Sequence, residues 1–264
     1  MGIKKYLLCL VSALLMSSVV GCGGGEVDVA EKAEETASAE EYTTIDPATA
    51  ATVKGKVLFE GDLPKVRRLN MNAEPSCAAL HKKPVYSNVV VPNENKTLRH
   101  VFVYVQKGLE GKVFETPTKP AVIDQKGCVY IPHMIGVQAN QPIQILNSDP
   151  TTHNIHPLPK NNREWNVSMA PGIPPKIKKF PREEVMIGVK CNVHPWMKSY
   201  IGVLKHPFFA ITGEDGSFEI KGLPPGEYTI SAWHELLKKG TTSHEVTLSA
   251  SDTKELDFTL KQAS

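Results

Sequence analysis

The stretch Cys191-Asn-Val-His194-Pro-Trp-Met197 sets a thiol, an imidazole and a thioether in one short segment, and His153-Asn154 lies about forty residues upstream. The segment follows Val185-Met-Ile-Gly-Val189-Lys190, an apolar run that reads as a buried strand. His194 and Met197 come too soon for that strand to continue. The chain must instead turn tightly and direct all three side chains toward one point, with Pro195 stiffening the turn. Taken singly, a buried Cys is more often inert and a buried Met is more often core filler. Together, His153, Cys191, His194 and Met197 make a His2Cys trigon with a weak axial Met, the donor set of copper sites that pass single electrons.

The choice of His153 rests on its position. It comes just after Ile143-Gln-Ile-Leu146-Asn-Ser-Asp149, a strand feeding a loop. His156 is a rival, but in an extended segment positions 153 and 156 point to opposite faces, so one ion cannot take both without a bulge. His153 is the one assigned. Elsewhere the pattern is β throughout. Val53 to Phe59, His100 to Val105, Val129 to Ile131, Pro142 to Leu146, Trp165 to Met169, Lys176 to Phe180 and Val185 to Lys190 are short apolar runs between turn residues. No segment holds a 3.6-residue apolar period long enough for a major helix. An all-β chain of sandwiches or barrels follows.

With this ligand order and strand pattern, residues 51–207 resemble the cupredoxins, and the short Cys-x2-His-x2-Met loop is similar to that of the amicyanins. The resemblance implies a Greek-key sandwich or barrel holding one type 1 copper ion on His153, Cys191, His194 and Met197. It implies that the Asn154 side chain bonds across to the Cys loop, and that His194 lies near the surface in an apolar patch flanked by Pro195 and Trp196. Such a patch would dock a redox protein, for example an envelope cytochrome or a dehydrogenase. Trp196 also suits simple packing over the copper loop.

The last sixty residues read differently. Asp215-Gly216-Ser-Phe218 suggests a hairpin turn, and Leu223-Pro-Pro-Gly226-Glu-Tyr228 leads into a further strand, with more strands near 243–248 and 254–260. Residues 208–264 resemble the carboxypeptidase regulatory-like domain, a small transthyretin-like β-sandwich. That domain's opening strands are missing here, and the strand over 52–60, with its Gly-x-Val-x-Phe-x-Gly pattern from Gly55 to Gly61, suggests one supplied from the N-terminal side. His234-Glu235 is a possible metal pair, though the end of a strand more often uses such residues structurally.

Met1 to Lys5 and the apolar run Tyr6 to Val20 read as a signal peptide over 1–21, too short to span a bilayer comfortably. Val19-Val20-Gly21-Cys22 resembles a bacterial lipobox, which implies lipidation at Cys22, a membrane anchor and a place in the cell envelope, on the periplasmic face of the outer membrane in a diderm cell. Residues 22–50 read as a disordered acidic tether, with eight acidic residues against one Lys after Cys22. The remaining chain keeps a basic excess of roughly seven, able to steer an acidic partner. The Lys residues are dispersed and no nucleic-acid motif accompanies them, so no nucleic-acid partner is expected.

Cys77 and Cys128 remain as an even pair in an exported chain, where a disulfide is the simple expectation. With His81 and His133 nearby in sequence, a Cys2His2 metal site is the alternative. No nucleophile and base sit in a recognisable arrangement and no haem, phosphate-loop or Rossmann motif is present, so no enzyme is expected. Three functions fit: a lipid-anchored blue-copper electron carrier, a copper-binding module without a redox role, or a surface lipoprotein binding carbohydrate or protein.

Overall fold

The structure is a computed structural model that describes residues 41–62, 65–88, 93, 95–236 and 241–261. The signal segment 1–21, Cys22 and the tether as far as residue 40 lie outside the described residues. The strands are β1 (Ala51–Glu60), β2 (Phe102–Lys107), β3 (Ala121–Gln125), β4 (Tyr130–Ile131), β5 (Met134–Gln138), β6 (Ile143–Asn147), β7 (His153–Leu158), β8 (Val167–Met169) and β9 (Lys176–Lys178). They continue as β10 (Glu184–Lys190), β11 (Lys198–Leu204), β12 (Phe209–Ile211), β13 (Ser217–Leu223), β14 (Gly226–Trp233), β15 (Thr241–Leu248), β16 (Thr253–Glu255) and β17 (Phe258–Lys261). A single helical turn, α1 (Pro75–Ala78), is the only helix among the described residues. The chain is all-β.

Two sheets, ordered β5-β11-β10-β7-β8 and β4-β3-β6-β9, enclose one core containing Ile123, Ile145, Ile155, Met169, Ile187 and Ile201. Ile143 and Ile145 of β6 and Ile187 and Val189 of β10 point into this space, with Gln144 and Lys190 on the opposite sides. The other two sheets, β13-β1-β16 with β17 also on β1, and β12-β2-β14-β15, enclose a second core around Val53, Val103, Phe218, Ile230 and Phe258.

The division of strands does not follow a cut at residue 207. β1 pairs antiparallel with β13 and parallel with β16 and β17, while β2 lies between β12 and β14. Two strands from the first half of the chain thus complete the C-terminal sandwich. The hairpin expected across Asp215-Gly216 is corrected: β12 pairs with β2 and β13 with β1, so this turn carries the chain from one sheet to the other.

The last part of the expected tether is also corrected. The Thr43 N–H donates to Val113 O at 2.7 Å, Ile45 packs on the second core, and the Ser251 N–H bonds Thr49 O. The aliphatic side chain and these backbone bonds give residues 43–50 an ordered place, which an acidic composition alone does not reveal.

A third apolar cluster, with Phe102, Tyr104, Met134 and Leu204 buried and Met186 and Phe209 beside them, fills the seam between the sandwiches. Gly136 of β5 and Gly202 of β11 are register partners there. The Phe102 and Phe209 rings occupy the space their side chains would need.

Candidate metal centre

The antiparallel pair β10 and β11, with Lys190 opposite Lys198, makes residues 191–197 a hairpin loop. Its neck closes through Cys191 N–H to Met197 O at 3.3 Å, and Met197 N–H donates to His194 O at 3.0 Å. β7 lies beside β10, with Lys190 opposite His156, which sets His153 level with the loop.

His153, Cys191 and His194 come together: one donor atom from each lies within 4.8 Å of the others, and all three side chains are buried. The two Nδ1 atoms of His153 and His194 face each other at 2.9 Å, and Cys191 Sγ is 3.6 Å from His194 Nδ1. Met197 is also buried, at the far end of the loop. His156 turns away, with Nδ1 on the Asn192 side chain and Nε2 on Glu164.

Asn154 Oδ1 accepts the Asn192 N–H at 2.7 Å and lies 3.3 Å from Cys191 Sγ, so this side chain ties β7 to the loop. Asp149, which in the sequence only ends the run 143–149 that feeds the loop before His153, is a further member of the centre. Its Oδ2 accepts His153 Nε2–H at 2.8 Å, and its two oxygens also take the Gly127 and Cys128 N–H groups at 2.6 and 2.7 Å. A proton held on Nε2 leaves Nδ1 with its lone pair toward Cys191 and His194, the usual means by which a carboxylate orients a metal-binding imidazole.

The surroundings favour a charged His153 ring beside Cys191, and a metal binding at Nδ1 would have to displace that proton. Burial opposes charge on His153, but hydrogen bonds to Cys191 and Asp149 outweigh it and hold its pKa above the ordinary value. Burial would raise the Cys191 thiol, yet bonds from His153 and from backbone N–H groups bring it below its usual range. His194 is pushed down by burial, then by the charge of His153. A thiol inclined to ionise beside a neutral imidazole meets what a soft transition metal requires of its ligands.

Cys77 and Cys128 form a disulfide. The Cys2His2 alternative is thereby excluded, because the sulfurs bond each other while His81 bonds Gly127 O and His133 pairs with Glu235. The disulfide reaches the centre directly: Cys77 Sγ lies 3.6 Å from His194 Nε2. His194 is only 1% exposed, which corrects the expectation of a ligand near the surface. The reason is residues 67–87, whose two strand-like stretches join through Leu69 N–H to Val85 O and Ser87 N–H to Arg67 O and carry α1 over the imidazole edge. Pro195 and Val193 are exposed, whereas Trp196 is half-buried, lies tilted against the His194 ring at 5.2 Å between centroids, and donates Nε1–H to Cys128 O at 3.0 Å.

Residues 205–261 match the family model described as the carboxypeptidase regulatory-like domain. No curated protein matches the chain. Solved structures similar to it include a Cu-containing nitrite reductase (NirK) from Thermus scotoductus, 13% identical over 38% of this chain and 26% of that one, with a TM-score of 0.32. A purple cupredoxin from Nitrosopumilus maritimus is 20% identical over 31% of this chain and 98% of its own, with a TM-score of 0.27. Amicyanin from Paracoccus versutus is 16% identical over 38% of this chain and 96% of its own, also with a TM-score of 0.27. The chain joins a sandwich similar to the cupredoxins with a carboxypeptidase regulatory-like domain.

Proposed function

We propose that the protein is a lipid-anchored blue-copper carrier of single electrons in the cell envelope. The observation that carries this reading is the convergence of Cys191 Sγ with the Nδ1 atoms of His153 and His194 in a buried pocket. These residues, together with the Met197 thioether, would hold one copper ion, which would supply a Cu(I)/Cu(II) couple. The chain's own groups do the rest. Asp149 fixes the His153 tautomer, Asn154 holds the loop to β7, and the buried surroundings exclude water and external ligands. A donor set completed by protein side chains suits electron passage better than substrate activation. The exposed Val193 and Pro195 beside Trp196 are the proposed contact for a redox partner such as an envelope cytochrome or dehydrogenase, and Cys22 is the proposed lipid attachment point.

The test is titration of residues 23–264 with Cu(II), followed by visible absorption and electron paramagnetic resonance. One equivalent giving intense thiolate-to-copper absorption and a narrow hyperfine splitting, both lost in Cys191→Ser, is expected. A colourless complex, or a signal indifferent to Cys191→Ser, would overturn the proposal. The burial of His194 beneath Cys77 favours a second reading, a copper-holding module with no outlet for electrons. Slow electron exchange with a soluble cytochrome, unchanged by Trp196→Asp, would select it.

A further inference from the structure

We propose that reduction of the Cys77–Cys128 disulfide creates a second metal site, a dithiolate for Cu(I), directly beside the first. It goes beyond the electron-carrier reading and needs only the observed placement of the two sulfurs. Both cysteines are wholly buried and join across 51 residues of chain. Around them is a ready donor environment. Cys128 Sγ, an Asp149 carboxylate oxygen and a His153 ring nitrogen all lie within 4.8 Å of one another, the second such three-residue group among the described residues. On the other side, Cys77 Sγ is 3.6 Å from His194 Nε2.

The chemistry balances. A dithiol reductant gives two electrons and two protons to the disulfide, itself becoming a disulfide and leaving Cys77 and Cys128 as thiols. Binding of Cu(I) then displaces the two thiol protons. Two thiolates are a sufficient and strongly preferred set for this soft cation. His194 Nε2 lies beside Cys77 Sγ, and the Asp149 carboxylate beside Cys128 adds a negative field that favours a cation. The same carboxylate does not need the ion for its own satisfaction, since it already accepts from Gly127, Cys128 and His153. In this arrangement the disulfide excludes the second ion, and a reducing donor admits it.

The experiment is anaerobic competition of residues 23–264 for Cu(I) against a coloured chelator, before and after reduction by a phosphine that is then removed. The oxidised protein should take one equivalent and the reduced protein two. Cys77→Ser/Cys128→Ser should take the same amount of copper with and without the phosphine treatment, with circular dichroism to confirm its fold. If that variant does not fold, alkylation of the reduced wild type at Cys77 and Cys128, verified by peptide mass, should likewise remove one equivalent. Equal uptake by oxidised and reduced protein, or a second equivalent that survives the serine variant or alkylation, would overturn the proposal. The two readings fail separately: an oxidised protein that takes no copper sinks the carrier, while a gain of one equivalent on reduction still supports the dithiolate.

Discussion

The Sγ of Cys77 lies 3.6 Å from Nε2 of His194, so the outer edge of a candidate ligand is closed by sulfur from a segment more than a hundred residues away. Through its partner cysteine the same bridge touches the other ligand. Cys128 N–H bonds Asp149, which bonds His153, and Cys128 O receives the Trp196 indole N–H. The disulfide is thus part of the wall of the centre. Removing it should disturb the loop, its orienting carboxylate and its cover at once.

Cys77→Ser/Cys128→Ser should therefore lower stability. The bridge closes a loop of 51 residues, for which loop-closure entropy predicts a loss of about 4 kcal/mol. Equilibrium denaturation of oxidised wild type against the variant measures it. Increased reactivity of the His194 ring toward an imidazole reagent should accompany the loss, because its cover is no longer tied down. Unchanged denaturation midpoints would show that residues 67–87 are held by packing alone.

Asp149→Asn should weaken metal binding while leaving the donor atoms in place. The amide offers one acceptor oxygen where the carboxylate offers two, and it faces three N–H groups, from Gly127, Cys128 and His153. Loss of such a partner typically costs 10- to 100-fold in metal affinity. Competition for copper against a chelator reads this directly, with circular dichroism to confirm the fold. An affinity equal to wild type would mean that packing, not Asp149, orients His153.

Why some of this was legible in the sequence, and some was not, follows from how far apart the cooperating residues lie. The tight interval from Cys191 to Met197 forces a loop, so its donors were visible from spacing. The register of β7 on β10 then delivers His153, and the Asn154 bond to Asn192 matches the role read from resemblance. The strand over 51–60 was also readable, since its alternation demanded a sheet and the C-terminal sandwich lacked one.

Asp149 was hidden because a turn residue and a buried hydrogen-bond acceptor look alike in one sequence. The cover over His194 was hidden because residues 65–88 lack any regular period; the Leu69–Val85 and Ser87–Arg67 backbone bonds, one helical turn and the disulfide are among what holds them. β3, β5 and β11 were missed for another reason. The latter two carry Gly136 and Gly202, which break the alternation of bulky residues where the Phe rings enter.

Those glycines lead to a prediction about the seam. A Cβ on Gly202 would stand 2.5 Å from Phe102 Cζ and 2.8 Å from Met186 Sδ, and one on Gly136 would collide with the Phe209 ring. The rings are packed between two sandwiches and have little room to withdraw. Gly202→Ala should cost about 1–3 kcal/mol, the usual range for overpacking a core. Phe102→Leu in the Gly202→Ala background should recover part of it, because the shorter side chain vacates the notch. Additive losses in the double variant would show that the glycine matters for another reason.

Acid sensitivity should come in part from His206, well away from the metal ligands in the chain. Its Nδ1 accepts the Phe208 N–H at 3.2 Å and its Nε2–H donates to Val105 O at 3.0 Å, a pairing that only the neutral ring can make. Burial, opposed by the Val105 bond, lowers its pKa from 6.5 to about 4. Above 6.5 the ring is neutral in both the folded and the unfolded chain and has no effect on pH dependence. Between 6.5 and 4 the unfolded chain binds the extra proton, so folding stability falls as pH falls, by up to about 1.4 kcal/mol per pH unit and about 3 kcal/mol across the window. Denaturation at a series of pH values should show this loss. His206→Asn, whose side chain can keep the bond from Phe208 but does not titrate, should flatten the curve by about one proton. A residual slope should remain, because burial first also lowers His100 and His234 to about 4. Parallel curves for wild type and His206→Asn would show that the ring is not held neutral by its surroundings.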